Sequence, residues 1–392
     1  MEMNKNSVIF FAYTKPENFS GQTAASELLL NAFTKKGFKC VPIILYPPGK
    51  NFKNSFSKYL KMIVKQVSAF PSLIKLMYYR NPILHINLGQ SYWSFVRVAI
   101  WLFPIKLVNR GIKVVTSLHG NIFMSWKSGD KLSRFFLRFL NSSKIVTVLG
   151  DNQKMKLIQF GLSDNKVRVI PNACDMNIVS DSFIFEKHKN TNSAINLLHL
   201  SLLLESKGFP LYLESLEILA KYDIARPIKA ILCGPITSSS YGNRFKNAEE
   251  KKNWIEGKVE LINRTSNGKI FVKWIPGASG SKKQNLFREA HLFILPTSFP
   301  VEAQPIVLLE ALASGCGIIT STVGEILSTL NNECAVFLQD FSAQVIADEI
   351  NKLISNPNDR LVMAINGAKL IRGPLSLESH IVKWEDIFSE IS

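Results

Sequence analysis

Residues 291–320, HLFILPTSFPVEAQPIVLLEALASGCGIIT, decide the fold. They open with a short apolar run, 291–295, which has the length of a buried strand and ends at Pro296. A loop, PTSFPV, follows. Pro305 suits the first turn of a helix, where its missing N–H costs nothing. The helical pattern runs on through Ala311, Leu312 and Ala313 and stops near Gly315. A second apolar run, 317–320, then resumes. Strand, helix and strand in so short a span form a βαβ unit, whose strands are parallel.

The same alternation extends on both sides. Upstream, strand-like runs fall at 8–13, 41–46, 83–88, 113–118, 145–149 and 167–170, with a helix expected over about 23–36. Downstream of a polar stretch, EKHKNTNS at 186–193, they recur at 195–200, 228–233 and 269–274. A chain of 392 residues exceeds one ordinary core. Two α/β domains are therefore expected, 1–185 and 194–373, joined by the polar stretch. Residues 235–268 read as an elaborated loop with one helix near 248–255. The tail, 374–392, reads as a last helix with Trp384 and Phe388 on its apolar side, packing back on the first domain. Two facing units of this kind leave a cleft at their strand ends, where ligands sit in open α/β sheets.

Charge is unevenly spread. Residues 1–175 carry 25 Lys and Arg against 7 Asp and Glu, whereas the remainder carries 22 against 23. Between Glu27 and Asp130 there is no acidic residue. This asymmetry points to an anionic partner for the first half, with a merely solvated basic face as the plain alternative. Nucleic acid is disfavoured because no reader motif accompanies the charge. Five scattered cysteines show no metal-ligand spacing and read as small buried hydrophobes in a reducing compartment. The start, MEMNKNSVIFFAY, does not read as a signal peptide. No window reaches the roughly 20 apolar residues that span a bilayer. The nearest, 91–108, is interrupted by Arg97, Pro104 and Lys106, and reads as a buried helix ending near Pro104.

Glu302 lies just before the expected helix and Glu310 about five residues into it. A helix N-terminus at a strand end offers free N–H groups and a positive dipole to a diphosphate. The two carboxylates suit paired hydroxyls, one on each side of that diphosphate, because they accept hydrogen bonds without donating. Taken alone, two glutamates eight apart also describe an ordinary amphipathic helix.

The surrounding residues do more. E-A-Q-P-I-V-L-L-E-A-L-A at 302–313, with E-A-H-L-F-I-L-P-T before it and S-G-C-G-I-I and V-G-E after it, resembles the E-x7-E motif of GT4-type, group 1 glycosyltransferases. Four other places fit. N-F-S-G-Q at 18–22 resembles the glycine loop that approaches the donor phosphates, here reduced to Gly21. L-H-G at 118–120 places His119 where the family's histidine meets the transferred sugar or the acceptor. L-S-L-L-L-E-S-K-G-F at 200–209 resembles R-x5-K-G, with Lys207 on the diphosphate and Ser201 where many members have arginine. I-P-N-A-C-D at 170–175 resembles I-P-N-G-x-D at the domain hinge. The resemblance implies a GT-B fold of two Rossmann-like domains facing each other across a donor-binding cleft. It implies retaining transfer from a UDP- or GDP-sugar. The donor would be held by Gly21, Ser201, Lys207, Glu302, Ala303, Gln304, Pro305, Ile306 and Glu310, with His119, Glu302 and Lys207 at the reacting sugar. No Asp-x-Asp occurs, so neither a metal nor another cofactor is expected.

In this family the first domain takes the acceptor. Lys58, Lys61 and Lys65 lie three and four apart among apolar residues, with Lys53 and Lys75 nearby, which suits a helix lying on an anionic membrane surface. Arg134 and Arg138 would add to that patch. The expected protein is a cytoplasmic, peripheral enzyme of cell-surface polysaccharide synthesis, acting on a saccharide or polyprenyl-linked acceptor. A non-catalytic nucleotide-sugar-binding subunit and a nucleotide-sugar epimerase of similar shape are the alternatives.

Overall fold

The structure, a computed structural model, describes residues 8–14, 21–45, 70–127, 129–190, 193–237 and 242–392. The chain divides into two compact units, Met1–Cys174 with Leu377–Ser392, and Asp175–Ser376.

The first unit is built on a parallel sheet of six strands: β1 (Val8–Thr14), β2 (Lys39–Leu45), β3 (Ile83–Asn87), β4 (Lys113–Ser117), β5 (Ile145–Val148) and β6 (Val167–Val169). Their order is β2-β1-β3-β4-β5-β6. Side chains alternate across a strand. Phe10 and Ala12 accordingly enter one core, with α2 (Phe70–Tyr78), α3 (Tyr92–Val108), α4 (Lys131–Asn141) and α5 (Asp151–Gln159). Ile9 and Phe11 enter the other, with α1 (Gly21–Lys35) and a helix from the far end of the chain, Leu377–Ile391.

The second unit repeats the scheme with β7 (Ile195–Leu200), β8 (Ile228–Cys233), β9 (Ile270–Ile275), β10 (Leu292–Leu295), β11 (Gly317–Thr320) and β12 (Ala335–Phe337). Their order is β12-β11-β10-β7-β8-β9, all parallel. Its helices are α6 (Asp181–Lys189), α7 (Phe209–Leu219), α8 (Ala248–Thr265), α9 (Gly280–Glu289), α10 (Ile306–Ala313), α11 (Ile326–Thr329), α12 (Ala343–Ser355) and α13 (Pro357–Arg372). The C-terminal Leu377–Ile391 is α14.

Three expectations are corrected. The stretch 186–193 is no linker: its first half, 186–189, is the end of α6, which packs against α13 inside the second unit. Two of its polar residues, Lys187 and His188, are spent inward. Lys187 Nζ donates to the carbonyls of Ser314 and Ala290 at 2.7 and 2.8 Å, and His188 Nε2 lies 3.0 Å from Gly315 O. The boundary falls instead between Cys174 and Asp175. The helix expected near 248–255 continues to Thr265. Helix α3 does not end at Pro104 but carries it inside, and it is not buried all round. Pro104 lies on the water-facing side, so the carbonyl of Ile100 that it leaves without a partner can be hydrated. Among the described residues, no helix is long and apolar enough to cross a membrane.

Candidate active site

Strand order creates the site in the second unit. The chain lays β8 and β9 outward on one side of β7, then returns β10 to its other side, with Leu292 beside Leu197 and Phe293 beside Leu198. The loops leaving the carboxyl ends of β7 and β10 therefore emerge next to each other, where open α/β sheets leave a crevice. The first loop carries Ser201 and Lys207, the second Thr297 and Glu302.

The two loops are tied together. Lys207 Nζ forms an ion pair with Glu302 Oε2, and Thr297 Oγ1 donates to the same oxygen at 3.4 Å. Lys207 Nζ also lies 4.7 Å from the centre of the Phe299 ring. The Ser298 N–H donates to Ser206 O at 2.7 Å. So close an approach needs glycine. Gly208 has φ +84°, and a Cβ there would stand 2.2 Å from Pro296 O. An open recess of about 410 Å³ beside the pair is lined by Glu205, Ser206, Gly242, Ser298 and Pro300. The buried Ser206 Oγ has no hydrogen-bond partner.

Helix α10 begins at Ile306, and Pro305, at φ −66° and ψ 115°, is its cap rather than its first helical residue. Glu310 is the fifth residue of the helix. Ala303 and Gln304 are buried. The Gln304 side chain donates to Thr329 Oγ1 at 2.8 Å, and the Glu325 N–H donates to Ala303 O at 2.8 Å. The V-G-E sequence fits here because Gly324, at φ +67°, passes so close to the Glu302 and Ala303 carbonyls that a Cβ would lie 2.3 and 2.6 Å from them.

Glu310 is 7% exposed. Lys283 Nζ of α9 bonds its Oε1 at 2.5 Å, while its Oε2 is buried without a partner. Burial pushes its carboxyl above the ordinary value and Lys283 pulls it back. An ionised carboxylate with one oxygen neutralised and the other empty is an acceptor prepared for a hydroxyl donor. No local sequence pattern marks Lys283, which meets Glu310 only through packing.

Ser201 carries no charge into the crevice. Its Oγ lies 2.9 Å from both His199 Nε2 and Leu202 O. His199 Nδ1 faces Ile294 O at 2.9 Å and can only donate there, so Nε2 is bare. Burial holds this imidazole neutral, its pKa lowered to about 3.

His119 and Gly21 belong to the first unit. His119 follows the end of β4, and its Nδ1 lies 3.1 Å from Asn172 Oδ1. An amide oxygen only accepts, so Nδ1 carries the proton and Nε2 is left as an acceptor. Burial lowers its pKa to about 4. In the sequence Asn172 reads only as hinge structure, whereas in the fold it is the partner of His119. Gly21 is exposed and opens α1, whereas 18–20, the rest of the expected glycine loop, lie outside the described residues.

Two family profiles match the chain, Glycosyl transferases group 1 over residues 180–370 and Glycosyltransferase Family 4 over 28–177. The chain belongs to the group 1, family 4 glycosyltransferases. The fold of this glycosyltransferase agrees with solved GT-B structures. Anabaena Alr3699/HepE, solved with UDP and glucose, is 15% identical with a TM-score of 0.67, over 98% of this chain and 100% of that one. Sucrose-phosphate synthase (tll1590) from Thermosynechococcus elongatus is 16% identical with a TM-score of 0.69, over 98% and 99%. A glycosyltransferase from Rickettsia africae ESF-5 is 16% identical with a TM-score of 0.68, over the same shares. At such identities the likeness is one of fold. No curated protein matches the sequence.

Proposed function

We propose that this glycosyltransferase moves a sugar from a UDP- or GDP-sugar, with retention at the anomeric carbon and without a metal, to a saccharide or polyprenyl-linked acceptor. The observation that carries the reading is the arrangement around α10: the Glu302–Lys207 pair before its N-terminus and the half-paired, buried Glu310 within it. Glu310 Oε2 accepts from a ribose hydroxyl. The diphosphate sits by Lys207 and the first N–H groups of α10, drawing Lys207 away from Glu302 and freeing that carboxylate for the sugar hydroxyls. As the anomeric C–O bond breaks, Lys207 and the helix end stabilise the departing nucleoside diphosphate. His119, neutral at pH 7, offers Nε2 to a hydroxyl of the sugar or acceptor. The structures of Alr3699/HepE with UDP and glucose favour a UDP-sugar as the first donor to try.

The basic first half supports work at the inner, anionic face of a membrane and a role in cell-surface polysaccharide synthesis. Lys53, Lys58, Lys61 and Lys65 lie outside the described residues, whereas Lys75, Arg134 and Arg138 are exposed on α2 and α4. A second reading, a binding subunit without turnover, is favoured by the uncharged Ser201–His199 pair.

Incubation with a panel of UDP- and GDP-sugars and lipid-linked saccharides separates the two. Transfer is expected to release free nucleotide, and Glu302→Ala to abolish that release. Tight donor binding without release, unchanged by Glu302→Ala, would establish the binding subunit.

A further inference from the structure

Helix α3 is apolar on both sides, and among the described residues one side is packed while the other is exposed. Phe95, Val98, Leu102 and Ile105 face the sheet at 0–6% exposure. Ile100, Phe103, Leu107 and Val108 are 61%, 68%, 62% and 64% exposed. These four stand at i, i+3, i+7 and i+8, so they share one helical face. The stripe is about 12 Å long, from the helical rise. Its neighbour α2 adds Tyr78 at 85% exposure. Singly exposed apolar residues are ordinary, but a continuous stripe marks a surface that meets something.

The charges around it are predominantly basic. Lys75 and Arg80 are exposed on and just after α2, Arg110 just after α3, and Arg134 and Arg138 on α4. Helix α4 flanks α3 on the other side, where Lys106 donates to Ser142 O at 2.9 Å. Between Glu27 and Asp130 the sequence has no acidic residue, and Asp130, exposed at the start of α4, is the first to oppose them. An apolar stripe rimmed by arginine and lysine complements an extended anionic sheet with an apolar interior. Tyr78, apolar in its ring and polar at its tip, suits the boundary between them. A protein partner would ordinarily find both signs of charge in such a rim.

We propose that α2, α3 and α4 form a membrane-docking face. The Ile100, Phe103, Leu107 and Val108 stripe enters the acyl boundary of an anionic bilayer while the arginines and lysines hold its phosphates. The inference rests on the membrane contact in the proposed function and assigns that contact to residues.

Sedimentation of the full chain with phosphatidylcholine vesicles, with and without phosphatidylglycerol, tests it. The wild type is expected to pellet with the anionic vesicles and to be released by salt. Phe103→Ser with Leu107→Ser, and separately Arg134→Glu with Arg138→Glu, are each expected to weaken this partition about tenfold or more. UDP affinity, measured by calorimetry, is expected to stay unchanged and shows that the variants are folded. If the wild type ignores both vesicles, the membrane reading and this face fail together. Binding that survives both double variants overturns the face alone. If the apolar variant instead turns a dimer into a monomer and leaves vesicle binding intact, the stripe is an interface between copies and the inference is wrong.

Discussion

Glu310 spends one carboxylate oxygen on Lys283 and keeps the other dry and unpartnered. Its folded carboxyl is raised above the ordinary 4.5. Such a group adds stability below its unfolded pKa, and that stability is lost as pH rises through the folded value. At neutral pH its ionised form is thus a cost to the empty protein. Glu310→Gln is expected to hold or raise Tm while weakening nucleotide binding about 10- to 100-fold, the worth of one charge-assisted hydrogen bond. Calorimetry and a melting curve on the same variant check both halves. A falling Tm with unchanged UDP binding would make Glu310 structural. Lys283→Met removes the group that pulls the carboxyl down, so the acid limb of UDP binding is expected to move to higher pH, with Lys283→Arg restoring it.

Helix α14 lies farthest in sequence from the unit it completes. Its Trp384, Ile387 and Phe388 are 2%, 4% and 0% exposed, and the Phe388 ring lies 5.2 Å from Phe33 and 6.4 Å from Phe11. Phe388→Ala is expected to destabilise the first unit by about 3–5 kcal/mol, as deletion of a buried aromatic does. Urea unfolding followed by hydrogen exchange would show the loss confined to residues of that unit. Where α10 is entered, Gly324 is held against Glu302 by the shape of the backbone. Gly324→Ala must push the Glu302 loop aside. It is expected to weaken donor binding tenfold or more while far-UV dichroism stays native, since the strands on either side do not depend on that turn. The apolar alternation that makes these strands and helices was legible in the sequence. The inward use of Lys187 and His188 was not, because a buried lysine and a solvated one have the same composition.

Across the whole molecule, all six histidines are held neutral by burial. The pKa of His119 and His380 falls to about 4, and that of His85, His188, His199 and His291 to about 3, from an ordinary 6.5. The unfolded chain takes up these protons first as pH falls. The stability they confer is therefore full above 6.5 and is lost through the window from 6.5 down to the folded values. Each can contribute at most about 1.4 kcal/mol per pH unit. Three lie in each unit, so both are expected to lose several degrees of Tm between pH 7 and pH 5, above the range where carboxylates titrate. A flat Tm across that interval would mean that these imidazoles are already protonated in the fold.

The sequence by itself determined two α/β units and the family, because strand length, helix period and the residues from 289 to 325 are local properties. Through the motif resemblance it also singled out Lys207, Glu302 and Glu310 as candidate site residues. Only the tertiary structure decided that Lys207 meets Glu302, because that contact needs β10 beside β7, and sheet order is not written in either strand. The partnership of Lys283 with Glu310, and of Asn172 with His119, arises in the same way. Packing also decided which side of α3 faces water. Both sides are apolar in sequence, and the sheet beneath selects the one that is buried.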